Sequence, residues 1–124
     1  MNIKIDKADS TFSQYIRLRD MKCMRCSSPV RLNDKGLPAS HTNSHYFGRG
    51  RENTRFDPQN ADTLCMACHR IWASDDREGY RNFKIKQLGK KAFENLCIRA
   101  EMYCKRDRKM AYIVAKELLK SLKV

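Results

Sequence analysis

The chain predicts an α+β fold, in which a small zinc-stapled module of short strands and one helix is followed by α-helices, and three observations carry that expectation. Two Cys-x-x-Cys pairs, Cys23/Cys26 and Cys65/Cys68, offer four thiolates on two tight turns, a set that can close a tetrahedral Zn²⁺ shell. The segment tied off between the pairs reads as strand, glycine-punctuated loop, strand and helix start. After residue 77 the apolar residues recur at three and four spacing, the period of helices with one buried face.

Composition sets the frame. At 124 residues the chain makes one domain with a modest core, so a metal staple is physically useful. Structural zinc in small fingers contributes about 10–16 kcal/mol, comparable with the whole stability of an ordinary domain. Lys and Arg number 26 against 14 Asp and Glu, a net charge of +12. That bias points to a polyanionic partner, nucleic acid before an acidic membrane surface. No apolar run approaches the ~18 residues of a membrane span, and Met1-Asn2-Ile3-Lys4-Ile5-Asp6 lacks a secretory apolar core. The expectation is a cytoplasmic protein with no membrane partner, whose six cysteines act as ligands or free thiols.

Residues 1–20 read as a short extended arm or strand, gripped by Phe12, Tyr15, Ile16 and Leu18. A module over 21–76 follows. Turn residues flank Val30-Arg31-Leu32, which fits a small hairpin. His45-Tyr46-Phe47 suits a first strand, Thr54-Arg55-Phe56 a second, and Asp57-Pro58-Gln59-Asn60 turns the chain towards Cys65. A helix from Ala67 would hold His69 in its first turn and Trp72 as its anchor on the core. A helical extension over 77–124, packed on the module, divides into Glu78–Leu88 stopped by Gly89, Lys90–Cys104, and Arg106–Leu122 with the row Met110, Val114, Leu118, Leu122. Cys97 and Cys104 fall on the apolar stripe of the second of these, as small buried hydrophobes.

Ser44-His45-Tyr46-Phe47-Gly48-Arg49, then Thr54-Arg55-Phe56-Asp57-Pro58-Gln59-Asn60, then Leu64-Cys65-Met66-Ala67-Cys68-His69 resemble, as a set, the His-Asn-His motif of HNH (ββα-metal) endonucleases. They look most like the phage NinG-like recombination nuclease branch, and Tyr80-Arg81-Asn82-Phe83 through Leu88-Gly89 is similar to that branch's helical continuation. The resemblance implies a treble-clef zinc module presenting a ββα-metal site. It implies a divalent-metal-dependent DNA endonuclease, intracellular and phage-encoded, acting in recombination or DNA processing. Catalysis would rest on His45, Asn60 and His69: His45 as general base, Asn60 holding the strands together and orienting His45, His69 ligating one Mg²⁺ or Mn²⁺. Arg49, Arg51 and Arg55 would contact DNA.

The residue types suit that chemistry. Phosphodiester cleavage needs a deprotonated water, a Lewis acid and positive charge for the transition state, and a neutral imidazole accepts a proton at physiological pH. One departure concerns Ser44, where many superfamily members carry an Asp that ligates the metal. The missing oxygen is expected from Asp57, the only carboxylate in the constellation, with Asn60, His41, water or the DNA phosphate as alternatives. In another arrangement His45 is itself a ligand, and Tyr46 or a second water moves the proton. From a different class, a non-catalytic zinc-finger DNA-binding accessory protein explains the charge and the cysteines but gives no reason to keep His45, Asn60 and His69 together. One such site cuts one strand, and the apolar stripes of the last two helices offer a face for a homodimer.

Overall fold

A computed structural model describes residues 4–122; residues 1–3 of the expected arm lie outside the described part. The architecture is mixed, with six helices, α1 (Lys7–Asp20), α2 (Glu52–Arg55), α3 (Met66–Arg70), α4 (Arg77–Leu88), α5 (Lys90–Glu101) and α6 (Arg108–Ser121). A two-stranded antiparallel sheet of β1 (Thr42–His45) and β2 (Ala61–Leu64) stands between them, in the register Thr42↔Leu64 and His45↔Ala61.

The first departure from expectation is α1, a helix in place of the extended arm. Asp6 caps it, accepting from Ala8 N and Asp9 N, while Asp9 Oδ2 accepts from Asp6 N–H at 3.0 Å and completes a capping box. Ala8, Phe12, Tyr15 and Ile16 then fall on one face and are buried. The other face keeps its charge but is not idle: Arg19 donates to the carbonyls of Pro58 and Ala61 at 2.9 Å each, on either side of Asn60.

β2 is buried along its whole length, and its alternation assigns its two faces. Ala61 joins Phe12, Tyr15, Ile16 and Ala115 in one apolar cluster, and Thr63 Oγ1 donates to Ile16 O at 3.1 Å. Leu64 joins Cys23, Tyr46, Cys68, Trp72, Tyr80 and Phe93 in the other. Asp62, on the same face as Leu64, meets Lys84 Nζ at 3.0 Å with both side chains fully buried. Tyr80 Oη and Gln87 Nε2 also donate to Asp62, so every charge in that pocket is answered.

The second departure is Thr54-Arg55-Phe56, which belongs to the helical turn α2 and its cap rather than to a strand. Arg55 must turn inward to reach Asp9, and the strand that pairs with β1 begins only after the 3₁₀ turn Pro58–Asn60. The hairpin expected around Val30 is reduced to two isolated antiparallel bridges, Lys22↔Pro29 and Leu32↔Pro38.

α3 starts at Met66, after Cys65, and runs on as a π-turn over Ile71–Asp75 closed by Asp76 N–H to Ile71 C=O at 2.7 Å. Trp72 anchors it as expected, stacked on Tyr80 with ring centroids 4.8 Å apart. Gly89 stops α4 at φ 87, a conformation that costs glycine little. α5 ends at Glu101, short of the expected Cys104, so Cys97 is partly buried against the core whereas Cys104 is exposed. α6 packs on α1 through Ala115, with Leu118 and Leu119 beside it, while Ala111 is also buried and Met110, Val114 and Leu122 are exposed. A small residue, Ala115, meets Phe12, Tyr15 and Ile16 of α1, whose bulk fills the space between the helices. No described helix is long and apolar enough to cross a membrane.

Candidate functional site

The Sγ atoms of Cys23, Cys26, Cys65 and Cys68 lie within 4.8 Å of one another. Cys26 and Cys65 are 3.8 Å apart, the edge of a tetrahedron with metal–sulfur bonds of about 2.3 Å. Arg25 Nη1 donates to Cys68 Sγ at 3.4 Å and Cys26 N–H to Cys23 Sγ at 3.5 Å, contacts that favour thiolates. Burial pushes the Cys68 thiol upward, so a bound cation must displace its proton. The four are positioned to hold a metal ion, and the donor set is compatible with structural zinc.

His45, at the end of β1, has its Nε2 2.9 Å from the carbonyl oxygen of Arg55. A carbonyl only accepts, so Nε2 carries the proton and the neutral ring keeps its lone pair on Nδ1. Burial and the positive charge of Arg49 hold the imidazole down to about 4, which keeps it neutral at physiological pH. A cleft of about 360 Å³ opens here, lined by Asn43, His45, Arg49 and His69 among others. In it His69 Nδ1, Arg49 Nε and both polar atoms of the Asn43 amide are buried without a hydrogen-bond partner. Burial and Arg49 also pull the His69 imidazole down, so two neutral rings face one cleft beside a cation.

Asn60, fully buried, is the clamp of the intervening loop. Its Oδ1 accepts from Phe47 N–H at 2.8 Å, and its Nδ2 donates to Phe47 O at 2.9 Å and Thr54 O at 3.1 Å. It makes no hydrogen bond to His45; it fixes the loop that follows it, at Phe47 and at the carbonyl of Thr54, next to Arg55.

The arginines divide. Arg49 lines the cleft, one-third exposed, with Nε 3.8 Å from Asp9 Oδ1, too far for a hydrogen bond. Arg55 is 1 % exposed and cannot serve as a surface phosphate contact: Asp9 takes its guanidinium at 2.9 and 2.6 Å, Glu52 at 3.3 Å, and the Lys4 carbonyl at 2.9 Å. Arg51 pairs with Glu101 and donates to Ala100 O at 3.3 Å, which ties the loop to α5.

Asp57, the expected oxygen ligand, is not among the cleft's lining residues. Its Oδ1 caps the 3₁₀ turn by accepting from Gln59 N–H, and its Oδ2 is paired with Arg99 at 2.8 Å. His41 is also occupied elsewhere: it braces the first cysteine turn through Ser28 at 3.0 Å and Ser40 at 2.8 Å. Ser44 points away from the cleft, its Oγ lying 3.3 Å from Tyr80 Oη, which accepts there because its own proton goes to Asp62.

Two residues escaped the sequence reading. Asn43 lies two positions before His45, and strand alternation puts the two on one face; the signal was legible only with the strand's limits known. Asp9 was hidden because α1 was read as extended, although Asp6-x-x-Asp9 before Phe12, Tyr15 and Ile16 is a capping pattern.

The chain matches no protein-family model, no curated protein and no solved structure with which it was compared. Its function must therefore be argued from the cleft. A neutral imidazole with a free Nδ1, a second imidazole with an orphaned Nδ1 and a guanidinium can deprotonate a water, hold a divalent cation and neutralise an anion within one small space.

Proposed function

We propose that the chain is an HNH-type, divalent-metal-dependent DNA endonuclease, with a treble-clef zinc centre that is structural. The observation that carries the reading is the pairing of His45 Nε2 with the Arg55 carbonyl inside the cleft shared with His69 and Arg49. The cysteine cluster, as a site of four sulfurs, leaves no open coordination position for chemistry.

In this reading, His45 Nδ1 takes the proton of the attacking water, and the Arg55 carbonyl stabilises the imidazolium that results by holding Nε2–H. Arg49 offsets the growing negative charge on the phosphate. The orphaned Nδ1 of His69 fits a ligand to Mg²⁺ or Mn²⁺, which when bound supplies Lewis-acid stabilisation of the phosphate and leaving oxygen. Asn60 keeps the loop closed so that the carbonyl and imidazole stay in register. The net charge of +12 supports a DNA partner through phosphate contacts, and α1 through α6 form the frame that holds the site.

The test is conversion of supercoiled plasmid by the wild type and by His45→Ala, with Mg²⁺, with Mn²⁺ and with chelator. Expected is nicking that chelator stops and that His45→Ala reduces by about 10²–10⁴-fold, the usual contribution of a positioned base, with zinc content and DNA binding retained. Salt-sensitive DNA binding without cleavage in any metal would replace the reading with a binding-only accessory protein.

A further inference from the structure

Asn43 is 5 % exposed, yet neither atom of its side-chain amide has a partner. A buried, unpaired amide loses its hydration with nothing in return, a penalty that a strand in the core has no packing reason to carry. Its neighbours sharpen the point. Asn43 shares the cleft with His45, Arg49 and His69, and the other orphaned atoms there are His69 Nδ1 and Arg49 Nε. The groups in this cleft lack partners together, as expected of a site completed by a ligand.

Resting on the nuclease reading, we infer that Asn43 Oδ1 is the oxygen ligand that accompanies His69 Nδ1 on the divalent cation, taking the role for which Ser44 is turned away and Asp57 is engaged elsewhere. Three observations remove the nearest protein donors of oxygen. Ser44 is buried against Tyr80 on the opposite face of β1, Asp57 is paired with Arg99, and the Asn60 amide is fully used by Phe47 and Thr54. An amide oxygen is a hard, neutral donor of the kind that Mg²⁺ and Mn²⁺ accept, and it leaves more positive charge on the ion than a carboxylate does. Nδ2 is then free to donate to a phosphate oxygen. The site therefore binds its cation weakly without DNA, and an introduced carboxylate tightens it.

The experiment titrates Mn²⁺ into the zinc-loaded full chain and follows the free-ion signal by electron paramagnetic resonance, for the wild type, Asn43→Ala, Asn43→Asp and His69→Ala. Zinc content and circular dichroism confirm that each is folded. Expected is one weak Mn²⁺ in the wild type, an affinity lower by tenfold or more in Asn43→Ala and His69→Ala, and an affinity higher by several-fold in Asn43→Asp. Should Asn43→Ala bind as the wild type does while His69→Ala loses the ion, the role of Asn43 is overturned and the nuclease reading stands. Should the wild type bind no Mn²⁺ and cut no DNA, both fall. If Asn43→Ala does not fold, the isosteric Asn43→Asp decides: affinity unchanged or lowered overturns the assignment.

Discussion

Asp9 grips the guanidinium of Arg55 with both carboxylate oxygens, at 2.9 and 2.6 Å, and the backbone carbonyl of that same Arg55 receives His45 Nε2. The first helix thereby reaches the candidate base through one residue. Arg55 supplies no charge to solvent; its side chain is the anchor and its carbonyl holds the His45 ring. Asp9 also lies 3.8 Å from Arg49, so one buried carboxylate faces both arginines of the cleft region.

Replacing Asp9 by Ala leaves the buried Arg55 charge with its main partner gone. Removing one member of a buried ion pair costs about 3–5 kcal/mol, and urea unfolding of Asp9→Ala is expected to show a loss of that order. Asp9→Glu, which keeps the charge, is expected to lose less. Equal stability of all three would mean that Glu52 and the Lys4 carbonyl suffice for Arg55.

Asn60→Ala removes three hydrogen bonds of a fully buried side chain and leaves the Phe47 N–H without its acceptor. At about 1 kcal/mol for each bond, a loss of about 3 kcal/mol is expected in chemical denaturation. On the nuclease reading nicking falls further than stability does, because His45 loses the fixed carbonyl. Activity that persists in protein still folded at the assay temperature would limit Asn60 to loop closure.

Metal content is expected at one tightly held zinc per chain. Stripping it with a strong chelator at neutral pH, or introducing Cys65→Ser, should abolish the near-ultraviolet circular dichroism of the Trp72–Tyr80 stack, since Cys23 and Cys68 sit in the same apolar cluster as those rings. A metal-free chain with an unchanged thermal transition would remove zinc from the account of stability.

The sign of the pH dependence follows from His45. Its imidazole, ordinarily near 6.5, is held at about 4 in the folded chain. Between those values the unfolded chain binds more protons, so this residue makes folding less favourable as the pH falls from 6.5 towards 4. Unfolding free energies of the wild type and His45→Gln, measured at pH 7 and pH 5, should therefore differ in slope, with the wild type losing more on acidification. Parallel curves would show that the His45 environment does not suppress its charge.

The α+β class was legible in the spacing of residues, and so was the gathering of Cys23, Cys26, Cys65 and Cys68. Paired thiols on tight turns and an apolar 3.6-residue period are local patterns, which short-range geometry imposes wherever the chain goes. His45, Asn60 and His69 were marked only by the resemblance of their motif, whereas Trp72 followed from its place on the helix. What each polar residue touches was not legible, because it depends on partners remote in sequence. Arg55 looked like a surface cation until α1 brought Asp9 to it from 46 residues away. Asp57 looked like a ligand until Arg99 took it, 42 residues on. Asn43 was unremarked until the limits of β1 put it beside His45. The sequence by itself determined the residue types available for chemistry and the four cysteines positioned to hold a metal ion. Only tertiary packing decided which charges are neutralised inside the protein and which side chains stay unpaired in the cleft, because a buried charge goes to whichever partner the fold delivers.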